Sequence, residues 1–152
     1  MSLFVINGNN YMLKIFNNNR AFDGDMTRVE SSAELAGEFY DRGFSCARSV
    51  LQASTGSTHP ELLAAVAGFG CGIGKSGCLC GAVTGGVMAL GLKGRGKQSG
   101  ELVAVFKEAF QTTCCRGLSR GYPWMSKEHR ANCRKITVEA TRMVEVLLRN
   151  PE

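Results

Sequence analysis

Seven cysteines in a chain of 152 residues are the side chains of this sequence best suited to chemistry. A deprotonated cysteine sulfur attacks disulfides and ligates metal ions. Cys78 and Cys80 precede a long uncharged stretch, and Cys114 and Cys115 are neighbours in the chain. The other three cysteines are single: Cys46, Cys71 and Cys133. An odd number argues against a fully paired secreted framework. In a reducing compartment, cysteine clusters more often bind metals or catalyse than form structural bridges.

The N-terminus supports a cytoplasmic location, because residues 1–10 have no basic leader and no sustained apolar core, and a secretory signal has both. No apolar run reaches the roughly 20 residues of a membrane span, so we expect no membrane association. The net charge of +5 is spread along the chain without a basic run, which does not favour a nucleic-acid partner.

The stretch 75–92 is the predicted centre of the fold. After its first residue it carries no formal charge, and apolar residues occur all round a helical wheel. A helix without a polar face has to be interior. Gly81, Gly85 and Ala89 fall one turn apart and leave a smooth face for a neighbouring backbone. The same face is equally suited to the contact of a homodimer.

Apolar residues at helical spacing predict four further helices. They run from Ser31 or Ser32 to about Ala53, from Pro60 to Ala67, from about Gly100 to Cys114, and from after Ser126 to Pro151. No segment predicts a strand. We therefore expect an all-α fold, a single small bundle of about five helices with a glycine-rich loop, 68–77, before the central buried helix. This domain covers residues 29–152, and the asparagine-rich residues 1–28 form a poorly defined N-terminal arm.

On the predicted helices, several cysteines occupy positions that face the core and that can meet in a small bundle. Cys46 and Cys133 lie on core-facing stripes, and Cys80 and the pair 114–115 lie at ends of inward-facing helices. At the start of the central helix, Cys80 meets the positive end of the helix dipole, which favours its thiolate. Lys75 adds a nearby positive charge.

Two phosphate-binding motifs in the glycine loop are incomplete. Gly72-Ile-Gly-Lys-Ser-Gly fits G-x-G-x-x-G, and Gly74-Lys-Ser ends like a Walker A loop. The Walker pattern needs a glycine where Phe69 stands, and both motifs require a preceding strand. His59 and His129 are isolated in polar contexts, so we expect both at the surface, and no pair of cysteines has the spacing of a zinc knuckle.

The order of the cysteine-bearing segments resembles the C_GCAxxG_C_C family. The segments are Phe44-Ser-Cys-Ala-Arg-Ser-Val-Leu, Cys80-Gly-Ala-Val-Thr-Gly-Gly-Val-Met-Ala-Leu-Gly-Leu, Cys115-Arg-Gly-Leu and Cys133, within residues 31–148. The family is described as redox-active proteins, and a related domain occurs in split-Soret cytochromes. The resemblance implies a helical domain whose functional set is Cys46, Cys80, Cys115 and Cys133. Cys71, Cys78 and Cys114 lie outside the pattern, as additional ligands or as resolving thiols. The chain has no C-x-x-C-H haem motif, so no haem role transfers.

Three functions remain open, and with them the question of whether the protein is an enzyme. In the first, thiolates of Cys46, Cys80, Cys115 and Cys133 bind a metal centre, an iron–sulfur cluster or alternatively zinc, and exchange electrons with an unidentified redox partner. In the second, the protein is a metal-free thiol–disulfide oxidoreductase in which Cys80 attacks and Lys75 assists. In the third, it is a structural or partner-binding helical domain whose buried thiols are inert.

Overall fold

A computed structural model describes residues 26–149, so nearly all of the predicted arm at 1–28, and residues 150–152, lie outside the described residues. The helices are α1 (Met26–Asp41), α2 (Cys46–Thr55), α3 (Pro60–Val66), α4 (Gly81–Leu92), α5 (Ser99–Phe110), α6 (Cys115–Leu118) and α7 (Lys127–Arg149). Short 3₁₀ turns are Ala67–Phe69, Ile73–Lys75 and Gly96–Gln98. No strand occurs between residues 26 and 149. The predicted all-α bundle is confirmed, with six helices of seven or more residues where about five were expected.

The first predicted helix is divided in two, and the prediction of one continuous helix is wrong. Gly43 has a φ of 90°, a left-handed value that glycine adopts without strain. The chain reverses there and α2 begins afresh after Ser45, whose hydroxyl accepts a hydrogen bond of 3.2 Å from the N–H of Arg48. Such a cap satisfies one of the unpaired N–H groups of a helix start. Cys46 is therefore the first residue of a helix instead of an interior one.

Helix α4 lies at the centre, as predicted, and its glycines allow α2 to approach closely. A Cβ atom on Gly85 would collide with the carbonyl oxygen of Ala47, and one on Gly81 would lie 2.6 Å from the sulfur of Cys46. Ala82, Ala89 and other residues of α4 are fully buried. The glycine face that was equally suited to a dimer contact is thus covered by α2 of the same chain.

Helix α7 packs against α1 and against the core of the bundle. Its apolar stripe includes Ile136, Ala140, Met143, Val144 and Leu147, all buried. Two ion pairs join α7 to α1. Arg142 donates to Glu30 from Nε and Nη2, and Nε of Arg134 donates to both carboxylate oxygens of Asp41. None of the described helices is long and apolar enough to cross a membrane.

Helix α5 ends earlier than its apolar pattern predicts. Leu102 and Phe106 are fully buried, but Gln111 takes a φ of 65°, which stops the helix at Phe110. A non-helical segment follows, and a new short helix begins at Cys115. This break moves Cys115 from the predicted end of one helix to the start of another.

Candidate redox site

Three cysteines of the site lie at the starts of three different helices. Cys46 is the first residue of α2, Cys80 is the N-cap of α4, and Cys115 is the first residue of α6. The first N–H groups of a helix have no partner within the helix, so they are available to other acceptors. The chain leaves the helical conformation at Gly43 and at Gln111, so that new helices begin soon afterwards at Cys46 and Cys115.

Nearby backbone N–H groups favour negative charge on two of the sulfurs. Those of Ala47 and Cys71 lower the pKa of Cys46, and those of Gly81 and Cys115 lower the pKa of Cys115. Each of these N–H groups favours the thiolate over the thiol, because a charged acceptor binds a donor more strongly.

Cys80 lies between the other two thiols and is hydrogen-bonded to both. Its side chain donates to Cys46 and to Cys115, although a thiol carries a single proton and serves one acceptor at a time. Cys80 and Cys115 are only 5% and 8% exposed. The three sulfurs therefore form one coupled group, in which a single S–H stabilises charge on either neighbour.

The pKa values follow from this arrangement. Donation from Cys80 and from backbone N–H groups lowers the pKa of Cys115 to about 7, in spite of burial. The same donor lowers the pKa of Cys46. Hydrogen bonds to Cys115 and Cys46, together with burial, raise the pKa of Cys80 well above its ordinary value. The lowered pKa that we expected for Cys80 is therefore found at Cys115 and Cys46, because Cys80 acts as their donor.

Cys133 has different partners from those of the other thiols. Its sulfur is 3.6 Å from Nε2 of His129 and is hydrogen-bonded to the hydroxyl of Tyr40. The N–H of Met125 donates to Nδ1 of His129 over 3.1 Å, so the proton of the neutral ring lies on Nε2 and faces the sulfur. His129 thus donates to Cys133 and cannot deprotonate it in this tautomer. Burial chiefly raises the pKa of Cys133 to about 11.

The prediction that His129 lies at the surface is wrong, since it is 4% exposed. Its ring packs against Trp124 with centroids 4.5 Å apart. Sequence reasoning missed both His129 and Tyr40 as neighbours of the thiols. The available signal was the spacing of four residues between His129 and Cys133, which places them on one face of a helix.

One cavity of about 870 Å³ connects these groups. Its lining includes five free cysteines: Cys46, Cys71, Cys80, Cys115 and Cys133. Tyr40, Lys75, Trp124 and His129 complete the part of the wall nearest to them. The four cysteines of the predicted set, which are far apart in sequence, therefore border a common space.

The remaining two cysteines, Cys78 and Cys114, form a disulfide whose Cα atoms are 4.3 Å apart. While this disulfide is closed, neither sulfur is a thiolate, the form that ligates a metal. Lys75 lies beside the free thiol of Cys71. Its charge acts on Cys71, where it opposes the rise in pKa that burial causes.

A single metal ion does not fit the described thiols as they are arranged. Among residues 26–149, no three His, Cys, Asp or Glu side chains are placed to hold one ion. A structural zinc site needs four ligands in a tetrahedron. Cys80 contacts two thiols, but Cys133 is hydrogen-bonded to Tyr40 and His129 instead. The arrangement of these donors therefore does not match a zinc site.

The comparison with known families agrees with the order of these cysteines. Residues 44–147 match the family described as "Putative redox-active protein (C_GCAxxG_C_C)", and the match spans more than half of the chain. The chain belongs to this family. No curated protein and no solved structure matches it. Membership confirms the resemblance seen in the sequence and the broad class of a redox-active protein. In this C_GCAxxG_C_C protein, five free thiols line one cavity.

Proposed function

We propose that this protein is a thiol–disulfide oxidoreductase in which Cys115 attacks a disulfide and Cys80 resolves the product. The observation that carries the proposal is that Cys80 and Cys115 are both buried beside the same cavity, where the interaction with Cys80 lowers the pKa of Cys115 to about 7. An attacking thiol is most effective when its pKa is near the ambient pH, because thiolate fraction and nucleophilicity are then balanced. Cys80 keeps its proton until the second step.

The reaction has two exchanges. In the first, the Cys115 thiolate attacks a disulfide R–S–S–R, forms a Cys115–S–S–R bond and releases RS⁻. In the second, the S–H of Cys80 gives its proton to the released thiolate, and its sulfur attacks that of Cys115. This step forms a Cys80–Cys115 disulfide and releases a second RS⁻. The dithiol loses two electrons and the substrate gains them, so no other reactant is needed.

The cavity supports a small substrate at this dithiol. Cys80 and Cys115 are almost completely buried, but both border the 870 Å³ cavity. Binding sites for small molecules have volumes of about 300–1,000 Å³. A low-molecular-weight disulfide reaches Cys115 through this space, whereas the thiol of a folded protein does not.

The test is disulfide mapping during oxidation of the fully reduced protein by oxidised glutathione. We expect a transient adduct on Cys115, followed by a Cys80–Cys115 disulfide. The Cys80→Ser variant should accumulate the adduct, because its resolving thiol is missing. Cys71→Ser, which removes another free thiol of the cavity, is the matched control and should behave as the wild type. Exchange at an unchanged rate when Cys115→Ser is added to a Cys78→Ser/Cys114→Ser background, which removes the two cysteines of the disulfide, would overturn the proposal.

An iron–sulfur centre in the same cavity is a second candidate, favoured by the five free cysteines along its wall. Such a cluster is commonly held by four thiolates. Replacement of Cys133 distinguishes between the two functions. A cluster held by Cys46, Cys80, Cys115 and Cys133 needs its thiolate, whereas disulfide exchange at Cys80 and Cys115 does not. After anaerobic reconstitution with iron and sulfide, visible absorbance that is lost in Cys133→Ser would support the cluster. A colourless protein whose Cys133→Ser variant still exchanges disulfides would exclude it.

A further inference from the structure

Four cysteines lie on two short segments that pass each other in opposite directions. The segments are 77–80 and 113–116. The N–H of Cys80 donates to the carbonyl of Thr113 over 2.7 Å, and the N–H of Arg116 donates to the carbonyl of Gly77 over 3.1 Å. Between these two bonds, the Cys78–Cys114 disulfide joins the segments covalently. We call Cys78–Cys114 the outer pair and Cys80–Cys115 the inner pair.

The two pairs differ in their access to solvent. Cys78 is exposed and Cys114 half-buried, whereas Cys80 and Cys115 are buried. A protein substrate can therefore touch the outer pair and not the inner one. The outer pair is also additional to the four cysteines of the family pattern.

The backbone places the pairs within a few bonds of each other. Cys114 and Cys115 are consecutive residues, and Cys78 and Cys80 are separated only by Leu79. The Cα atoms of Cys78 and Cys114 are 4.3 Å apart, so Cys78 is also close to the residue that follows Cys114. The inner thiolate and the outer disulfide are thus neighbours on the same two segments.

We propose that the outer pair is a second redox pair, which exchanges electrons with the inner pair and with a protein that presents a reactive dithiol or disulfide at its surface. This proposal rests on the function proposed above, since it gives the inner dithiol a protein partner. The outer pair serves macromolecular substrates, and the inner pair serves small ones that enter the cavity.

The internal step balances without another reactant. The Cys115 thiolate attacks the sulfur of Cys78, forms a Cys78–Cys115 bond and releases the Cys114 thiolate. Attack on Cys114 itself is disfavoured, because it would close a strained ring between consecutive residues. Cys80 then loses its proton to solvent, and its sulfur attacks that of Cys115. A Cys80–Cys115 disulfide forms and the Cys78 thiolate leaves. Two electrons have moved from the inner to the outer pair, and the reverse order returns them.

The test compares a small oxidant with a bulky one on the fully reduced protein. The small oxidant is a low-molecular-weight pyridyl disulfide, and the bulky one is a pyridyl disulfide on a long polyethylene glycol chain. We expect both to generate the Cys80–Cys115 disulfide in the wild type. In the Cys78→Ser/Cys114→Ser variant, the small reagent should act at the wild-type rate, while the bulky reagent slows at least about tenfold as direct access is lost.

A wild-type rate with the small reagent shows that this variant is folded. A slower reaction with the bulky reagent alone therefore supports electron transfer from the inner pair through the outer pair, which we call the relay. Equal rates with the bulky reagent in variant and wild type overturn the relay and leave the proposed function intact. With the outer pair removed, loss of the reaction with the small reagent when Cys115→Ser is added is what the proposed function requires, and its persistence overturns that function. As a second variant, Cys114→Ser/Cys115→Ser should accumulate the bulky adduct on Cys78, because both thiols that would resolve it are missing, and a trapped adduct on Cys71 instead would contradict the relay.

Discussion

At the scale of single residues, one S–H group decides which sulfur of the site is charged. Cys80 donates to Cys115 and Cys46, lowers the pKa of both and keeps its own proton. Burial alone would raise all three pKa values, because it penalises the charged form. The hydrogen bonds outweigh burial at Cys115, and its pKa near 7 is the result.

Replacing the donor should therefore change the pKa of Cys115. Cys80→Ala removes the donor, and we expect the pKa of Cys115 to rise towards the ordinary thiol value of about 8.5. Cys80→Ser keeps a donor of similar size, so the pKa should rise less. The measurement is the pH dependence of Cys115 alkylation, followed by mass spectrometry. A pKa of Cys115 that stays near 7 in both variants would show that the backbone N–H groups alone stabilise the thiolate.

The alkylation rate of Cys115 in the wild type should rise with pH through about 7. The rate rises with pH because only the thiolate reacts with the alkylating reagent. With a pKa of about 7, roughly a tenth of Cys115 is thiolate at pH 6 and roughly nine tenths at pH 8. Cys133, with its pKa raised to about 11, is the internal control and should remain slow over the same range. A midpoint near 9 for Cys115 would contradict donation from Cys80 and the backbone N–H groups.

At the scale of the elements, the site depends on how closely α4 approaches α2. Gly81 and Gly85 lie where these helices meet, and neither has room for a side chain. The contact holds the sulfur of Cys46 beside the start of α4, where Cys80 is the N-cap. Glycine costs helix stability, and close packing offsets that cost at these two positions.

Two glycines of α4 allow a matched test of this contact. Gly85→Ala forces a methyl group against the backbone of Ala47, and we expect unfolding free energy to fall by about 1–3 kcal/mol or more. Gly91→Ala meets no atom within 4 Å and should stabilise the helix by up to about 1 kcal/mol. Chemical denaturation measures both. Equal effects at the two positions would mean that α2 and α4 do not pack as described.

At the scale of the whole molecule, the outer disulfide closes a long loop. Cys78 and Cys114 are 36 residues apart in sequence, and α4 and α5 lie between them. A cross-link of this kind stabilises a fold mainly by restricting the unfolded chain. The disulfide therefore has a structural consequence in addition to the redox role proposed for it.

Reduction of the protein should lower its stability. For a loop of this length, the chain-entropy relation predicts a loss of about 3–4 kcal/mol in unfolding free energy. The measurement is denaturation with and without a reducing agent. The Cys78→Ser/Cys114→Ser variant is the control and should be insensitive to the reducing agent. Equal sensitivity of the variant and the wild type would assign the effect to other thiols.

The helical segments follow from local rules, and sequence patterns therefore predicted most of them. The proline at the start of α3, the uncharged stretch of α4 and the apolar stripe of α7 act within one or two turns of the chain. The break at Gly43 was harder to predict, because a glycine inside a helical pattern costs only about 1 kcal/mol and tertiary packing decides whether the helix continues. The end of α5 at Gln111 depends on a left-handed residue with no strong sequence signal.

The sequence by itself determined the family, the all-α class and four of the five cysteines that border the cavity, since motif order and helical periodicity are properties of the chain. Only the tertiary structure decided which sulfur carries charge, which two cysteines are bonded and that His129 is buried beside Cys133. The physical reason is that a pKa depends on the donors and the burial around an atom. At Cys115 the side-chain donor comes from Cys80, a residue 35 positions away in the chain.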